Sequence, residues 1–277
     1  MKKFLFSFCI AFILINAWGA AQDSIPYQTG FEASQGFVAG NSLNGQGGWT
    51  VEPSGGDAKI TDTIAMDGSQ SVELEANSQI DKQLAADPTD TIIWMEGYFR
   101  GAGTTAEPQF PDAEQGFPAS AIVFFSATNG IRCYDGDGAG EGSWIDTNVS
   151  TLDEGTWYKI SIRQDYTAQT WRCYIDNTKS PDQELGFRDD TVTTLNGFRN
   201  FADTISYLDT FRVIPGKKGD ANLDNKVDAA DLITLLNDPD GSGFDLIEKD
   251  NADMDDSGAI DSTDFNAFID KILNRTT

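Results

Sequence analysis

The chain of 277 residues contains no histidine. This absence excludes Ser-His-Asp and Cys-His catalysis, an imidazole general base and histidine-ligated zinc. A glycosidase needs only two carboxylates at a suitable separation, so carboxylate chemistry stays open. A polysaccharide lyase with a tyrosine base and an arginine neighbour also stays open.

Basic residues are scarce. The chain has 19 Lys and Arg against 44 Asp and Glu, which gives a net charge of −25. A negative field of this size repels phosphate backbones and anionic lipid surfaces. We therefore expect no nucleic-acid or anionic-membrane partner. An anionic polysaccharide is a difficult ligand unless calcium bridges it.

Long apolar runs are also rare, and the main one is at the start of the chain. Residues 4–15 follow Lys2 and Lys3 and precede Gly19-Ala20-Ala21. This run is too short for a stable membrane anchor. The order of charged, apolar and small residues is that of a secretory signal peptide. We expect residues 1–21 to be removed and the mature chain to be secreted or held at the cell surface, with no membrane span.

Only three cysteines are present, and Cys9 lies in the predicted signal peptide. Cys133 and Cys173 occupy similar contexts, Arg-Cys-Tyr in both cases. In an oxidising compartment such a pair can form a disulfide. The alternative is two buried, small apolar residues on neighbouring strands. The sequence leaves both readings open.

The most specific pattern is a twelve-residue acidic motif that occurs twice near the C-terminus, 33 residues apart in the same register. Oxygen-bearing side chains occupy positions 1, 3, 5, 9 and 12, and position 7 offers a backbone carbonyl. This spacing suits calcium, which takes six to eight oxygens from a chain curled around it. The predicted ligands are Asp220, Asn222, Asp224, Lys226, Asp228 and Asp231 in the first copy, and Asp253, Asp255, Ser257, Ala259, Asp261 and Asp264 in the second.

Both copies depart from an ordinary EF-hand. Position 12 is Asp instead of Glu, and position 6 of the first copy is Asn225 instead of Gly. Asn tolerates a left-handed backbone, so that loop can still close. Residues 215–219 cannot form an entering helix. Apolar periodicity predicts helices only after the loops, over 229–237 and 262–273.

This duplicated loop-then-helix pattern resembles the type I dockerin over about residues 219–274. The resemblance implies two bound calcium ions and docking onto a cohesin module of a scaffold or cell-surface protein. In that family the two residues after ligand position 9 often contact the cohesin. These are Ala229 and Ala230 in the first copy, and Ser262 and Thr263 in the second. The alternative is a calcium-stabilised terminal cap that has no partner.

Residues 22–215 consist of short alternating segments separated by Gly, Asp, Asn and Pro, which predicts a β-sandwich. The fold class is therefore mainly β, with a jelly-roll sandwich over 22–215 and a small all-α, EF-hand-like dockerin domain over 216–277. A tight turn at Asn129-Gly130 predicts a hairpin. The predicted strands are 71–75, 92–100, 121–126, 131–134, 157–164, 171–176 and 207–214.

The body also resembles concanavalin A-like and laminin G-like jelly rolls. The resemblance is carried by Gly30-Phe31-Glu32 with Gly48-Trp49, Asp67-Gly68-Ser69-Gln70-Ser71, Trp157-Tyr158-Lys159-Ile160, the strand from Trp171 to Asp176, and Tyr207-Leu208-Asp209. In some such sandwiches an early acid and one on the last strand hold a structural calcium. Glu32 and Asp209 match these positions; the alternative is a solvent-facing Glu and a turn-capping Asp.

Strand alternation predicts which side chains share a surface. If the strands share a sheet, one surface collects aromatic rings, guanidinium groups and a carboxylate, which together suit a sugar. The alternative is an outer sheet face with ordinary cross-strand pairs. The predicted ligand-binding residues are Trp94, Glu96, Tyr98, Arg100, Trp157, Arg163, Arg172 and Tyr174, with Arg132 and Tyr134 on the same surface.

Three functions remain open from the sequence. The first is a secreted, calcium-binding dockerin protein whose sandwich binds a glycan. The second is a small glycoside hydrolase or lyase in polysaccharide catabolism, with Glu96 as the best single catalytic candidate and Asp135 or Glu141 as hypothetical partners. The lyase version would use Tyr98 with Arg100. The third is a non-catalytic structural surface protein.

Overall fold

A computed structural model describes residues 22–53, 55–108 and 118–273 of the chain. The predicted signal peptide lies outside these ranges. The described part is mainly β, and its three α-helices lie near the C-terminus. None of its helices is both long enough and apolar enough to cross a membrane.

Sixteen strands form in the described ranges, and they build a large sheet and two smaller ones. Short 3₁₀ turns at Ala33–Gln35 and Gln46–Gly48 interrupt the early part of the chain. The strands are β1 (Asp23–Ser24), β2 (Tyr27–Thr29), β3 (Trp49–Val51), β4 (Ala58–Thr61), β5 (Ser71–Leu74), β6 (Ser78–Ala85), β7 (Ile92–Gly101), β8 (Val123–Ser126), β9 (Gly130–Gly136), β10 (Gly142–Asp146), β11 (Tyr158–Asp165), β12 (Thr170–Ile175), β13 (Thr178–Lys179), β14 (Leu185–Gly186), β15 (Gly197–Ala202) and β16 (Ser206–Pro215).

The large sheet has the order β13-β12-β11-β7-β16-β5-β4, with β2 paired to β16 and β14 to β12. One smaller sheet contains β1, β6, β15 and β3, and the other has the order β10-β9-β8. A single apolar core joins all three sheets. It contains Met95 and Phe99 from the large sheet, Ile80 and Phe198 from the first small sheet, and Phe125 from the second. The body is therefore layered like a sandwich.

All seven predicted strands are present, with ends shifted by two residues or fewer. The hairpin predicted at Asn129-Gly130 joins β8 to β9, and Gly130 has the left-handed φ of 72°. Strands β6 and β15 were not predicted because their sequences carry charge. In the fold, Asp81 of β6 pairs with Arg199 of β15, 118 residues away, and both side chains are nearly buried. No local pattern signals such a pair.

A β-bulge interrupts the last strand opposite β7. Asp209 pairs with Tyr98 and Arg212 with Glu96, so three steps along β16 face two along β7. Thr210, inside the bulge, has a φ of 46°, which is unusual for a β-branched residue. The bulge turns Asp209 toward the loop over 66–70 and places Arg212 beside Glu96.

The C-terminal part contains helices α1 (Ala229–Asn237), α2 (Leu246–Ala252) and α3 (Ser262–Ile272). Helices α1 and α3 were predicted and contact each other. Helix α2 corrects the prediction that helices only follow the acidic loops, because it ends where the second loop begins. It forms because Asp245 caps its first turn and Ile247 is fully buried.

The C-terminal helices pack in two directions. Leu235 of α1, Ala252 of α2 and Phe268 of α3 share a small core of their own. Ile247 of α2 instead packs onto the large sheet, against Trp94 and Ile214. The connection from Pro215, where β16 ends, to Asp220 is only four residues long.

Cys133 and Cys173 are both free thiols and buried. Cys133 lies on β9 and Cys173 on β12, which belong to different sheets. Burial and the neighbouring Cys173 raise the pKa of the Cys133 thiol well above its ordinary value. Of the two readings left open by the sequence, the structure has the buried apolar pair, on facing sheets and not on neighbouring strands.

Candidate functional site

The last acidic loop brings three carboxylates together. One oxygen from each of Asp253, Asp255 and Asp264 lies within 4.8 Å of the other two. These residues hold ligand positions 1, 3 and 12 of the predicted calcium loop. Asp264 is buried, Asp253 is half-buried and Asp255 is exposed. The loop therefore folds its acids inward around one point.

Backbone amides fix the shape of this loop. The amide of Ser257 donates to Oδ1 of Asp253 at 3.0 Å and to Oδ1 of Asp255 at 3.1 Å. The amide of Gly258 donates to Oδ2 of Asp253 at 2.8 Å. Asp256 and Gly258 are both left-handed, with φ of 58° and 86°. These two reversals let the chain curl so that side chains two residues apart face the same centre.

The first acidic loop has the same internal geometry. The amides of Asp224 and Asn225 donate to the two oxygens of Asp220 at 3.0 and 2.9 Å. Leu223 and Asn225, at positions 4 and 6, are left-handed with φ of 59° and 66°. The prediction that Asn225 adopts the conformation of the usual glycine is therefore confirmed. The two loops are equivalent in backbone and not only in sequence.

Three of the loop carboxylates are buried and make no ion pair with a basic side chain among the described residues. Asp220, Asp231 and Asp264 are fully inaccessible to solvent. Within the described ranges no Lys or Arg forms an ion pair with any of them. Burial, with the nearby charges of Asp231 and Asp224, raises the pKa of Asp220 to about 6. Buried carboxylates are costly unless they are paired or coordinate a metal, so these groups fit a bound cation.

The acids at positions 9 and 12 also start the helices that follow. Asp228 and Asp261 are the N-caps of α1 and α3, and each accepts a hydrogen bond from an amide of the first turn. Asp231 and Asp264 accept bonds from the amides of those caps at 2.8 Å. The same side chains thus close the loop and stabilise the helix start.

A third, shorter copy of the loop lies between α1 and α2, over residues 238–248. The amide of Ser242 donates to Oδ1 of Asp238 and of Asp240, and the amide of Gly243 to Oδ2 of Asp238. Gly241 is left-handed, as position 4 is in the other loops. This copy was not predicted because it is one residue shorter, although its Asp-x-Asp-Gly-Ser-Gly run carries the signal.

The predicted sugar-binding surface of the large sheet is covered by α2. Trp94 is only 1% exposed and packs against Ile214 and Ile247. Its indole nitrogen donates to Oδ2 of Asp250 at 3.1 Å, and Nε of Arg163 donates to the same oxygen. The predicted surface is therefore not open to solvent at Trp94.

Glu96, the single catalytic candidate, is buried in an ion-pair network. Its carboxylate lies 2.9 Å from Nζ of Lys159 and 2.8 Å from Arg212, and it accepts a hydrogen bond from Ser161 at 2.7 Å. Arg212 also pairs with Asp245 at the start of α2. Glu96 thus holds strands and α2 together and does not face an open cleft.

The other predicted surface residues separate into two groups. Tyr98, Arg100 and Trp157 lie away from α2; Arg100 stacks over Tyr207 and donates to the carbonyl of Glu154. The suggestion that Arg132 and Tyr134 share this surface is wrong, because their strand β9 belongs to another sheet.

A cavity of about 730 Å³ lies beside the covered part of the sheet, between β11, β12 and the last acidic loop. Tyr174 stacks on Trp94 with ring centroids 5.5 Å apart, and Nε of Arg172 donates to Glu184 at 3.1 Å. Arg163 lines the same space. Of the predicted ligand-binding residues, the structure brings Trp94, Arg163, Arg172 and Tyr174 together here.

Glu32 and Asp209 both hold the turn over residues 66–70. Glu32 accepts bonds from the amides of Ser69 and Gln70, and Asp209 accepts bonds from the amides of Met66 and Asp67. Burial raises the pKa of Asp209, and the charge of Glu32 adds to the effect. These contacts agree with turn-capping carboxylates, and the third calcium ion stays a prediction.

No protein-family model matches the chain, and no curated protein matches it. Solved structures with some similarity include a sialidase, with 8% identity and a TM-score of 0.43. The alignment covers 66% of this chain and 18% of the sialidase. Others are the CBM22-1 xylan-binding domain of Paenibacillus barcinonensis Xyn10C (15%, 0.31, 70% of this chain and 96% of that one) and domain 4 of the Geobacillus stearothermophilus arabinanase AbnA (11%, 0.40, 70% and 93%). All three TM-scores are below 0.5, so these similarities carry no inference about function.

Proposed function

We propose that this chain is a calcium-binding, dockerin-like protein that acts outside the cell and links a carbohydrate-binding β-sandwich to a cohesin-type partner. The observation that carries the proposal is the convergence of Asp253, Asp255 and Asp264 within 4.8 Å. Like charges so close together repel strongly unless a cation lies between them.

Calcium is the cation that these donors suit best. The first loop offers side-chain oxygens of Asp220, Asn222, Asp224, Asp228 and Asp231 with the carbonyl of Lys226, and the last offers Asp253, Asp255, Ser257, Asp261 and Asp264 with the carbonyl of Ala259. Hard oxygen donors with no nitrogen or sulfur favour Ca²⁺ over zinc or copper. Bound calcium would neutralise the buried carboxylates and hold each loop closed.

Calorimetric titration of the full mature chain with Ca²⁺ tests this part of the proposal. We expect two sites, one of which disappears in Asp264→Asn. The matched control is Asp256→Asn in the same loop, because Asp256 occupies position 4 and pairs with Lys218. Two sites should remain in that variant. A chain that takes up no Ca²⁺ would overturn the proposal.

The docking part of the proposal rests on an apolar surface shared by α1 and α3. Ile233 and Leu236 of α1 are each 59% exposed, and Ile269 of α3 and Leu273 just beyond it are exposed as well. Ala229, Ala230, Ser262 and Thr263, the predicted partner-binding residues, are exposed at the starts of the same helices. Exposed aliphatic side chains grouped on two adjacent helices favour a protein partner.

Surface plasmon resonance with immobilised cohesin modules tests this partner. We expect calcium-dependent binding that Ile233→Asp abolishes. Ile205→Asp is the matched control, because Ile205 is equally exposed at 56% but lies on the sandwich. If no cohesin binds in the presence of calcium, the C-terminal repeats are a calcium-stabilised cap without this partner.

Carbohydrate binding, and not hydrolysis, is the function of the sandwich that the residues favour. Glu96 is buried and engaged by Lys159, Arg212 and Ser161, so its carboxylate is not presented to a substrate. The cavity beside α2 instead offers the ring of Tyr174 and the guanidinium groups of Arg163 and Arg172 to a sugar. Polysaccharide incubated with the chain should therefore be retained in pull-down assays without release of reducing sugar. Sugar release would favour the hydrolase alternative.

A further inference from the structure

The 730 Å³ cavity has walls from two distant parts of the chain. One wall is formed by residues of β7, β11 and β12, and the other by residues of α2 and of the last acidic loop, which include Asp253, Asp256 and Ala259. A volume of about this size holds a few sugar units or a small organic ligand. Neither the sheet nor the acidic loop forms this space alone.

The sheet wall has the chemistry of a saccharide site. The ring of Tyr174, stacked on Trp94 at an interplanar angle of 35°, supplies an apolar face. Arg172 and Glu184 supply a guanidinium donor and a carboxylate acceptor, and both side chains are accessible, at 37% and 43%. A sugar ring has an apolar face and a rim of hydroxyl groups, which these groups complement.

The loop wall is formed by the residues that surround the candidate calcium position. Asp253 lines the cavity and also belongs to the carboxylate cluster with Asp255 and Asp264. The carbonyl of Ala259 occupies ligand position 7, and Ala259 lines the cavity too. A cation at the cluster therefore fixes the position of this wall.

The charge of the cavity selects against acidic sugars. Carboxylates outnumber cationic groups in its lining two to one, so a uronate ligand meets a repulsive field. The carboxylates are Asp165, Glu184, Asp240, Asp250, Asp253 and Asp256, and the cationic side chains are Arg163, Arg172 and Lys249.

From this shared wall we infer that the cavity binds a neutral oligosaccharide and that its binding is linked to calcium at the last loop. The inference rests on the proposed function and adds where the sugar binds and what controls it. Because linkage is reciprocal, calcium raises the affinity for the sugar and the sugar raises the affinity for calcium by the same factor.

Calorimetric titration of the full mature chain tests this with four probes: xylohexaose, cellohexaose, mannohexaose and an oligogalacturonate, each with Ca²⁺ or with a chelator. We expect a neutral probe to bind with calcium, and its affinity to fall about fivefold or more with chelator or in Asp264→Asn. Arg172→Gln should weaken binding about tenfold, since it removes a charged hydrogen-bond donor. Lys59→Gln is the control, because it removes an ion-paired cation on β4, outside the cavity.

The outcomes separate this inference from the proposed function. A neutral probe that binds equally well to Arg172→Gln and Tyr174→Leu overturns the location, while sugar binding by the chain stands. Loss of binding in those variants with no effect of calcium overturns the linkage alone. Failure of every neutral probe overturns both the inference and the carbohydrate-binding part of the proposal. Circular dichroism of each variant at the strand band shows that its sandwich has folded, because Arg172 and Tyr174 lie on β12.

Discussion

The indole nitrogen of Trp94 donates a hydrogen bond to Oδ2 of Asp250, 3.1 Å away in space and 156 residues further along the chain. Trp94 lies on a central strand of the large sheet, and Asp250 lies on α2. Arg163 donates to the same oxygen. With the ion pair between Arg212 and Asp245, these contacts bind the C-terminal repeats to the sandwich.

Ile247 should contribute strongly to this attachment because it is fully buried against Trp94 and Ile214. We expect Ile247→Ala to lower the free energy of unfolding by about 2–5 kcal/mol, from lost transfer energy and the cavity left behind. Urea denaturation measures the change. The control is Ile233→Ala, whose side chain is 59% exposed and whose effect should stay within about 0.5 kcal/mol. Equal effects in the two variants would contradict the packing described here.

Removing calcium should destabilise the C-terminal repeats. A ligand that binds only the folded state stabilises it in proportion to the logarithm of its free concentration. We therefore expect the melting temperature measured by circular dichroism at the helical band to fall when a chelator is added. The double variant Asp231→Asn/Asp264→Asn should show no such response. A wild-type melting curve that is the same with calcium and with chelator would contradict calcium binding.

The attachment of α2 should weaken in acid. Burial raises the pKa of Asp245, but hydrogen bonds from Arg212 and from the amides of Glu248 and Ile247 outweigh it, so the pKa lies below the ordinary 3.8. A depressed pKa adds stability above the unfolded value, and this stability is lost as the pH falls through the folded value.

Asp245→Asn keeps a good helix cap but removes this titration. Its stability deficit relative to wild type should therefore be present at neutral pH and shrink below about pH 4. Urea denaturation across this pH range measures it, with Asp62→Asn on an exposed turn as the control. A deficit that does not change with pH would show that Asp245 acts only as a cap.

Cys133 and Cys173 should resist alkylation in the native protein. Both are buried, and burial raises the pKa of the Cys133 thiol, so little thiolate forms. Iodoacetamide followed by peptide mapping should label both residues only after denaturation. If labelling in denaturant also needs a reductant, the protein carries a disulfide instead of the two thiols.

The sequence predicted those elements whose signal is local. Strands β11 and β12 alternate in sequence, and α1 and α3 begin at acids that cap them, so both periods could be recognised. Strand β6 could not, because the partners of its buried Lys82, Asp23 and the carbonyl of Gly47, lie 59 and 35 residues earlier. Helix α2 is too short to show a period, and its burial depends on Trp94.

The two candidate sites differ in the same way. The loop geometry follows from spacing within twelve residues, and the left-handed Asn225 was predicted from its identity alone. The sheet surface was predicted from alternation, which identifies a shared face but not what covers it. The burial of Trp94 and Glu96 depends on α2, which is more than 140 residues away. Alternation along one strand cannot predict a contact with a helix so far along the chain.

The four-residue connection after Pro215 and the contacts of α2 with the large sheet together fix the orientation of the C-terminal repeats relative to the sandwich. A receptor that grips α1 and α3 would hold the sandwich at one angle, because no flexible tether separates the two ends. The sandwich would then have one fixed orientation relative to a scaffold that carries the receptor. Neighbouring copies of the protein along such a scaffold would all present the same face of the sandwich to a polysaccharide.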